Sequence, residues 1–237
     1  MTSSTVLTER RPMLLPTLKV KDIREHFKTA LSTGNFVTDK TGVKTIELVG
    51  ASFVADEDSI FGDVNWDYVQ REIEWYDSQS LKVADIRGGA PKIWQMVSSK
   101  NGEINSNYGW AIYSSQNHKQ YWSVMLELLA NPNSRRAVMI YTRPTMHTDY
   151  SRDGMSDFMC TNAVQYMIRN DNLHAVVQMR SNDVVFGYKN DRAWQHEVMS
   201  RLLDDLNSKG DCRYGMGTLT WQVGSLHVYE RHFDLIK

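Results

Sequence analysis

Apolar residues recur at helical spacing in four stretches of the chain. After Leu18, residues Val20, Ile23, Phe27 and Ala30 fall on one helical face, and Gly34 is placed to end that helix. The same spacing predicts helices over "WDYVQREIEWY", "HKQYWSVMLELLANP" and "DRAWQHEVMSRLLDDLNSKG". The last two end at recognisable stops, Asn131-Pro132 and Gly210.

Runs of β-branched and aromatic residues predict the strands. "KTIELVGASFVAD" reads as a strand with a bulge at Gly50, and "RRAVMIYTR", "DFMCTNAVQYMIR" and "LHAVVQMRS" follow one another as short apolar strands before "GTLTWQVGSLHVY". Because strands and helices mix without strict alternation, the pattern favours an α+β fold. No repeat or linker divides the chain, so we expect a loose arm over 1–16 and a single domain over 17–237.

Composition narrows the function classes. The 237 residues are 41% hydrophobic and carry a net charge of −1, which gives no basic field for a nucleic-acid partner. Two separated cysteines indicate no disulfide framework, and no apolar run has the length of a signal peptide or membrane span. We therefore expect a cytoplasmic protein with no membrane partner.

Cys160 is the first candidate for chemistry. In "DFMCTNAVQY" it is predicted to lie mid-strand, where most free cysteines are simply small buried hydrophobic residues. A catalytic thiol needs a nearby cation, and Arg180 on a neighbouring predicted strand is placed to supply one. Both readings remain open from these residues alone.

Cations form the second candidate group. Lys40, Arg135, Arg136 and Arg180, with Ser181, could bind a phosphate, since guanidinium groups hold phosphate through paired hydrogen bonds. The commoner reading is a solvated turn and strand edge. Arg135 and Arg136 are adjacent on a predicted strand, so their side chains are expected to point to opposite faces.

The acids, the histidines and the search for metal motifs say less about function. Glu72 and Glu74 are two residues apart on a helix and cannot share a face, so one is expected at the surface. His227 and Tyr229 alternate on a strand and share a face. The histidines do not cluster at ligand spacing and no CxxC or HExxH motif occurs, so no metal is expected.

Taken together, the ordered blocks resemble a known family. The blocks are "DKTGVKTIELVGASF", "REIEWY", "KIWQ", "GEINSNYGW", "NPNSRR", "DGMSDFMCTNAVQY", "RSNDVVFGYKND" and "SLHVYERH". From Thr17 onward the chain resembles the thymidylate synthase superfamily, and within it most closely the deoxycytidylate hydroxymethylases of bacterial viruses. The resemblance implies a thymidylate synthase-like fold, a mixed β-sheet flanked by helices, and a homodimer formed through the sheet.

The resemblance also implies roles for individual residues. Cys160 matches the nucleophile, with Gln165 in the same substrate-binding segment, and Arg180 and Ser181 match the pair that binds the nucleotide phosphate. Lys40 matches a phosphate-loop cation. Arg135 and Arg136 match arginines that reach the phosphate of the other subunit, and His227 and Tyr229 match residues that hold the sugar hydroxyl. The remaining matches are Glu72 for water and proton transfer, Tyr108 near pyrimidine C5, and Trp94, Asp183 and Gly187 for contacts with the co-substrate 5,10-methylenetetrahydrofolate.

Asp191 departs from the synthase pattern. In the family motif, the residue eight after the folate-binding acid reads the pyrimidine, and synthases have Asn there. An amide offers one donor and one acceptor, which fits uracil, whereas an ionised carboxylate only accepts. Asp191 therefore fits the amine and a protonated N3 of cytosine, and would set two acceptors together against uracil O4.

These matches predict a nucleotide-modifying enzyme. The expected reaction transfers a one-carbon unit from methylenetetrahydrofolate to C5 of dCMP and hydrates it, giving 5-hydroxymethyl-dCMP. Three alternatives stay open: a C5-methylating enzyme acting on dCMP or dUMP, a hydroxymethylase acting on CMP, and a non-catalytic nucleotide- or folate-binding module. Cys160, Glu72 and Tyr108 argue against the last, because binding alone needs no nucleophile.

Overall fold

The structure is a computed structural model that describes residues 17–39 and 42–237; the expected arm over 1–16 lies outside these residues. The helices are α1 (Val20–Thr33), α2 (Trp66–Ser78), α3 (Lys92–Val97), α4 (Tyr108–Tyr113), α5 (Gln120–Ala130), α6 (Met146–Asp149) and α7 (Gly187–Lys209). The strands are β1 (Leu18–Lys19), β2 (Val37–Thr38), β3 (Lys44–Val54), β4 (Val138–Ile140), β5 (Thr161–Arg169), β6 (Asn172–Asp183) and β7 (Gly215–Tyr229). Short 3-10 turns cover Val83–Asp85, Arg152–Gly154 and Glu230–Leu235.

All four predicted helices form, and their apolar stripes face the core. In α1, Val20, Ile23 and Phe27 are buried, and Gly34 ends the helix in the left-handed region at φ 67°. In α2, the side chain of Asn65 accepts a hydrogen bond from the backbone N–H of Tyr68 and so caps the first turn. The buried face of α2 carries the acid Glu72, which is described below.

One mixed sheet organises the molecule. Its order is β1-β3-β7-β6-β5-β4, with β2 added beside β3. β6 and β7 run parallel, while β3 pairs with β7, and β5 with β6, in antiparallel fashion. The α+β prediction is therefore confirmed. The parallel pair brings the ends of β6 and β7 to the same side of the molecule, with Asp183 opposite His227.

The helices bury one face of this sheet. Along β5 and β6, buried residues such as Val164, Tyr166 and Val177 alternate with less buried ones, as expected when a single face meets the core. Trp75, Trp194 and Trp221 are among the large side chains fully buried in this core. On β3, Val49 is 82% exposed.

Two local predictions need correction. Cys160 is not mid-strand but directly precedes β5. The stretch before it is tied to another loop instead of to a strand, because Asp157 accepts from the backbone N–H groups of Asn105 and Ser106. Gly50 has φ 70°, but the register of β3 against β7 does not shift across it, so it forms no bulge.

Two element boundaries also differ. β4 begins only at Val138, since a local turn bond from its N–H to the carbonyl of Arg136 replaces strand pairing there. Arg135 and Arg136 therefore precede the strand, and both are exposed rather than split between two faces. α7 begins at Gly187, so Asp191 lies within a helix instead of starting one. Among the helices of the described residues, none is long and apolar enough to cross a membrane.

Candidate active site

A large cleft opens where β6 and β7 end. Its volume is about 1290 Å³, and α2, α3, α4 and the start of α7 complete its walls. Most residues predicted for the site line this cleft: Glu72, Trp94, Tyr108, Cys160, Arg180, Ser181, Asp183, Gly187, Asp191, His227 and Tyr229. Residues from distant parts of the sequence thus meet in one cavity.

Four predicted residues are not among those that line the cleft. Lys40 lies outside the described residues. Gln165 faces away from the core and donates from its Nε2 to the carbonyl of Arg135 over 2.8 Å. Arg136 donates to Oε1 of Glu127 over 3.0 Å. Within the described part of a single chain, the side chains of Gln165, Arg135 and Arg136 do not line the cavity.

The thiol of Cys160 lies beside a guanidinium group. Nη2 of Arg180 is 3.5 Å from Sγ and also donates to the carbonyl of Phe158 over 2.6 Å, while Nε donates to that of Met159. Burial raises the pKa of the Cys160 thiol to about 11, although Arg180 pulls it down. The arginine therefore holds the backbone before Cys160 and favours the thiolate form of its side chain.

Glu72 is a buried acid held by two donors. The hydroxyl of Tyr68, one turn earlier on α2, donates to Oε1 over 2.6 Å, and the indole N–H of Trp94 lies 3.3 Å from the same oxygen. The Trp94 indole also donates to Tyr68 over 3.0 Å. Burial raises the pKa of Glu72 to about 7, and the two hydrogen bonds oppose the rise. Glu74 is exposed and pairs with Arg87, which confirms the prediction that only one of the two acids is internal.

Asp191 is held by a residue that sequence reasoning missed. Nδ2 of Asn182 donates to Oδ2 of Asp191 over 2.7 Å, and the Asn182 carbonyl oxygen accepts from the indole of Trp221 over 3.1 Å. Burial and the nearby Glu72 raise the pKa of Asp191 to about 8, whereas hydrogen bonds from Asn182 and Tyr108 lower it. Asn182 stands within "RSNDVVFGYKND", but nothing in that pattern marks it.

The far end of the cleft is polar. The rings of His227 and Tyr229 meet edge to face, with centroids 5.1 Å apart, and the guanidinium of Arg231 lies 4.5 Å from the centre of the Tyr229 ring. Ser225, also in the cleft, donates from its hydroxyl to Glu47. This end offers donors and acceptors suited to a sugar and its phosphate.

Another part of the cleft lining suits a flat aromatic molecule. Ile93, Met96 and Phe186 line the cleft although they are 59%, 67% and 55% exposed. Asp183 Oδ1 accepts from two backbone N–H groups at 2.7 and 2.8 Å, but its buried Oδ2 has no partner among the described residues. A buried acceptor without a donor fits a ligand that carries N–H groups.

Comparison with known proteins shows the family to which the chain belongs. The thymidylate synthase family model matches residues 21–237, and the chain belongs to that family. The chain is 60% identical over 225 residues to the deoxycytidylate 5-hydroxymethyltransferases of Enterobacteria phages T4 and T6, which covers 94% of this chain and 92% of each relative.

A solved structure agrees on the fold. The thermostable thymidylate synthase A from Bacillus subtilis superposes with a TM-score of 0.67 at 21% identity, over 90% of this chain and 82% of that one. The thymidylate synthase-like fold expected from the resemblance is thereby confirmed. In the described part of the chain, no group of three His, Cys, Asp or Glu side chains could hold a metal.

Proposed function

We propose that this protein converts dCMP, 5,10-methylenetetrahydrofolate and water into 5-hydroxymethyl-dCMP and tetrahydrofolate. The observation that carries the proposal is the buried acid Asp191, which faces the same cleft as the Cys160 thiol. The high identity to deoxycytidylate 5-hydroxymethyltransferases supports the same substrate.

Cys160 acts as the nucleophile. Its sulfur adds to C6 of the pyrimidine, which moves an electron pair towards C5 and prepares C5 to attack the one-carbon unit. Because the thiol has a raised pKa, addition depends on the Arg180 guanidinium 3.5 Å away to favour the thiolate. Arg180 and Ser181 also stand ready to bind the phosphate of the nucleotide.

Asp191 selects and activates the base. One carboxyl oxygen accepts from the 4-amino group, and a proton shared with N3 neutralises the charge that develops there during addition. The raised pKa of Asp191 suits this role, since the free group carries the shared proton at neutral pH. Uracil would instead present N3–H and O4, which reverses both hydrogen bonds.

Tyr108 and Glu72 handle the later steps. Burial raises the pKa of Tyr108 well above its usual range, so the phenol stays protonated and orients water near C5 rather than acting as a phenolate base. Once C5 passes its proton to that water and tetrahydrofolate departs, a methylene group remains on C5. Glu72 holds the water that adds to it, and the sulfur of Cys160 then leaves C6.

The folate co-substrate supplies the one-carbon unit at the oxidation level of formaldehyde. Asp183, with its unpaired Oδ2, would bind the N–H groups of the pterin, and Phe186, Ile93 and Trp94 would cover its rings. Gly187 lines the same cleft beside Asp183. The acceptor and the apolar surface together fit that molecule.

A homodimer would complete the phosphate site. Arg135 and Arg136 are exposed, and neither lines the cleft of its own chain. Gln165 and the exposed Val49 stand on the sheet face that the helices leave uncovered. Pairing of two such faces would carry each Arg135 and Arg136 to the partner's cleft, and Lys40 would add a further cation.

The product formed from dCMP, dUMP and CMP, each with methylenetetrahydrofolate, tests the proposal. We expect a hydroxymethyl product from dCMP alone. A methyl product from dCMP would support cytosine as the base but contradict the addition of water. Product from dUMP alone would contradict the role of Asp191 in recognising cytosine. Release of labelled C5 hydrogen separates an enzyme from a binding module, and Cys160→Ala should abolish it.

A further inference from the structure

Asn182 has a fixed orientation in the protein. It is only 3% exposed, and its two amide ends face different partners. An indole N–H can only donate, so the Asn182 atom that meets Trp221 must be the carbonyl oxygen. The NH₂ group is therefore directed at Asp191 Oδ2, 2.7 Å away.

Gly187 leaves the space that this contact needs. A Cβ at position 187 would lie 2.9 Å from Asn182 Nδ2 and 3.6 Å from Asp191 Oδ2. The backbone of Gly187 is not in the left-handed region, so conformation does not demand glycine there. The close approach of the Asn182 amide gives a physical reason for the missing side chain.

A carboxyl group alone cannot tell cytosine from uracil by hydrogen bonding. When protonated, it has one O–H donor and one acceptor, and exchange of the proton between its oxygens swaps the pattern. One arrangement matches cytosine N3 and its amine, and the other matches uracil N3–H and O4. Discrimination requires something that keeps the proton on one oxygen.

We propose that Asn182, held by Trp221, is a positioning residue that keeps Asp191 Oδ2 as a bare acceptor and so makes the carboxyl group specific for cytosine. A protonated oxygen is the poorer acceptor, so the bond from Asn182 confines the proton to Oδ1. Oδ2 then accepts from the 4-amino group of dCMP, and Oδ1–H donates to N3. This inference rests on the proposed function and extends it from Asp191 to the residues that support Asp191.

Other groups near Asp191 do not break this symmetry in the same way. The titratable side chains that interact with it are Glu72 and Tyr76 on α2, Tyr108 on α4, Cys160 before β5 and Asp183 on β6. Glu72 and Asp183 raise its pKa through their charge, which acts on both oxygens. Tyr108 also donates to the carboxyl group, but Asn182 adds a donor whose direction the core fixes.

The test compares kcat/KM for dCMP and dUMP in the full-length protein and in Asn182→Ala. We expect the dCMP-to-dUMP ratio to fall roughly 3- to 10-fold, the range for loss of a hydrogen bond between neutral groups. Loss of the donor should also raise the pKa of Asp191, so the fall of kcat/KM for dCMP, expected near pH 8, should move to higher pH. If Asn182 had a merely structural role, its loss would lower kcat/KM for dCMP and for dUMP by the same factor and leave the ratio unchanged.

Asn207→Ala is the matched control. Its amide also uses both ends, donating to the carbonyl of Tyr214 over 3.0 Å and accepting from the Tyr214 N–H over 2.8 Å, but Asn207 does not line the cleft. We expect its nucleotide ratio to match that of the wild type.

Trp221→Phe provides a second route if Asn182→Ala does not fold. It keeps an aromatic ring but frees the Asn182 amide to turn, so the ratio should fall as well. A ratio within about twofold of the wild type in a folded Asn182→Ala or Trp221→Phe variant would overturn the inference. A wild-type protein that prefers dUMP would instead overturn the proposed function, so the two failures are distinct.

Discussion

Tyr68 donates its hydroxyl proton to Oε1 of Glu72 over 2.6 Å, from one turn earlier on the same helix. Trp94 approaches the same oxygen at 3.3 Å. Oε2 of Glu72, by contrast, accepts no hydrogen bond from residues 17–39 or 42–237, and Glu72 lines the cleft. One oxygen is thus anchored by the protein, which leaves the other to hold water.

Tyr68→Phe should slow hydration more than it slows the earlier steps. Without the hydroxyl, Glu72 loses the bond that fixes its rotamer, and its pKa rises above about 7. We expect product formation to fall roughly 10- to 100-fold, as for loss of a hydrogen bond to a charged group, with a smaller effect on nucleotide KM. Parallel assays of C5-hydrogen release and of 5-hydroxymethyl-dCMP should show release exceeding product.

Tyr121→Phe is the control for that experiment. Tyr121 also donates to a carboxylate, Asp205 Oδ2, over 2.7 Å, but neither residue lines the cleft. The Tyr121→Phe substitution should lower the stability of the protein, while the amount of C5 hydrogen released should still equal the amount of 5-hydroxymethyl-dCMP formed. If Tyr68→Phe released C5 hydrogen and formed product in equal amounts and at the wild-type rate, the role given to Tyr68 and Glu72 would be contradicted.

Glu72→Gln should make the protein more stable at alkaline pH while impairing catalysis. The pKa of Glu72 is raised from the usual 4.5 to about 7, so its ionisation disfavours the folded state. Its favourable contribution is complete below pH 4.5 and is lost as pH rises to about 7. Glutamine never ionises, so at pH 9 the variant should exceed the wild type in unfolding free energy by roughly 2–3 kcal/mol.

Urea unfolding between pH 5 and pH 9 measures this difference. Glu74→Gln serves as the comparison on the same helix, because Glu74 is exposed and hydrogen bonds from Arg87 and Gln70 lower its pKa. Removing Glu74 should therefore give no gain at alkaline pH. If the gain from Glu72→Gln were the same at pH 5 as at pH 9, burial of an ionised Glu72 would not be its cause.

Arg180→Leu should make the Cys160 thiol less reactive. Burial raises the thiol pKa to about 11, and the Arg180 guanidinium opposes that rise. An opposite charge at this range typically shifts a pKa by about 1–3, so alkylation by iodoacetamide at pH 8 should slow roughly 10-fold or more. The rates are measured in a Cys212→Ser background, since Cys212 is exposed.

Arg169→Leu controls for loss of an arginine that binds backbone carbonyls. Arg169 donates to the carbonyls of Ile168 and Asn133, but stands at the opposite end of β5 from Cys160. The Cys160 thiol of the Arg169→Leu variant should be alkylated at the same rate as that of the wild type. An equal rate in Arg180→Leu would show that the guanidinium does not support the thiolate.

Sequence patterns found the framework of the site but not its supports. Helical spacing placed Glu72 on a helix, and family blocks named Cys160 and Asp191. Tyr68 and Asn182 escaped, because each works through contacts that no local pattern records: Asn182 meets Trp221, 39 residues away, and Tyr68 meets Trp94, 26 residues away. Such pairs become visible only once the sheet and helices bring them together.

The predicted strand boundaries were wrong for a related reason. Apolar composition extended the predicted strands through Cys160 and Arg136, since Cys160 adjoins β5 and Arg136 lies two residues before β4. Buried hydrogen bonds to Asp157 and a turn at Arg136 end the pairing earlier, and these depend on tertiary partners rather than on strand propensity. Cys160 consequently sits at a strand end, where its side chain reaches the cleft.

Mixed dimers would test whether the arginines act across an interface. The guanidinium of Arg135 makes no hydrogen bond or ion pair within residues 17–39 and 42–237, which leaves it available to a partner's phosphate site. Cys160→Ala and Arg135→Leu should each be inactive or severely impaired as pure proteins. In a mixed dimer, one cleft combines an intact Cys160 with an intact Arg135 from the other chain, whereas the second cleft lacks both.

Random exchange of subunits should therefore restore about a quarter of wild-type activity, because half of the dimers are mixed and each has one intact site. Native mass spectrometry establishes how many mixed dimers form, and activity should rise in proportion to them. A mixture of Cys160→Ala with Cys160→Ser supplies the control, since no intact thiol can be assembled. Mixed dimers that formed without regaining activity would show that Arg135 serves its own chain or none, and the phosphate site would then have to be built from Arg180 and Ser181 alone.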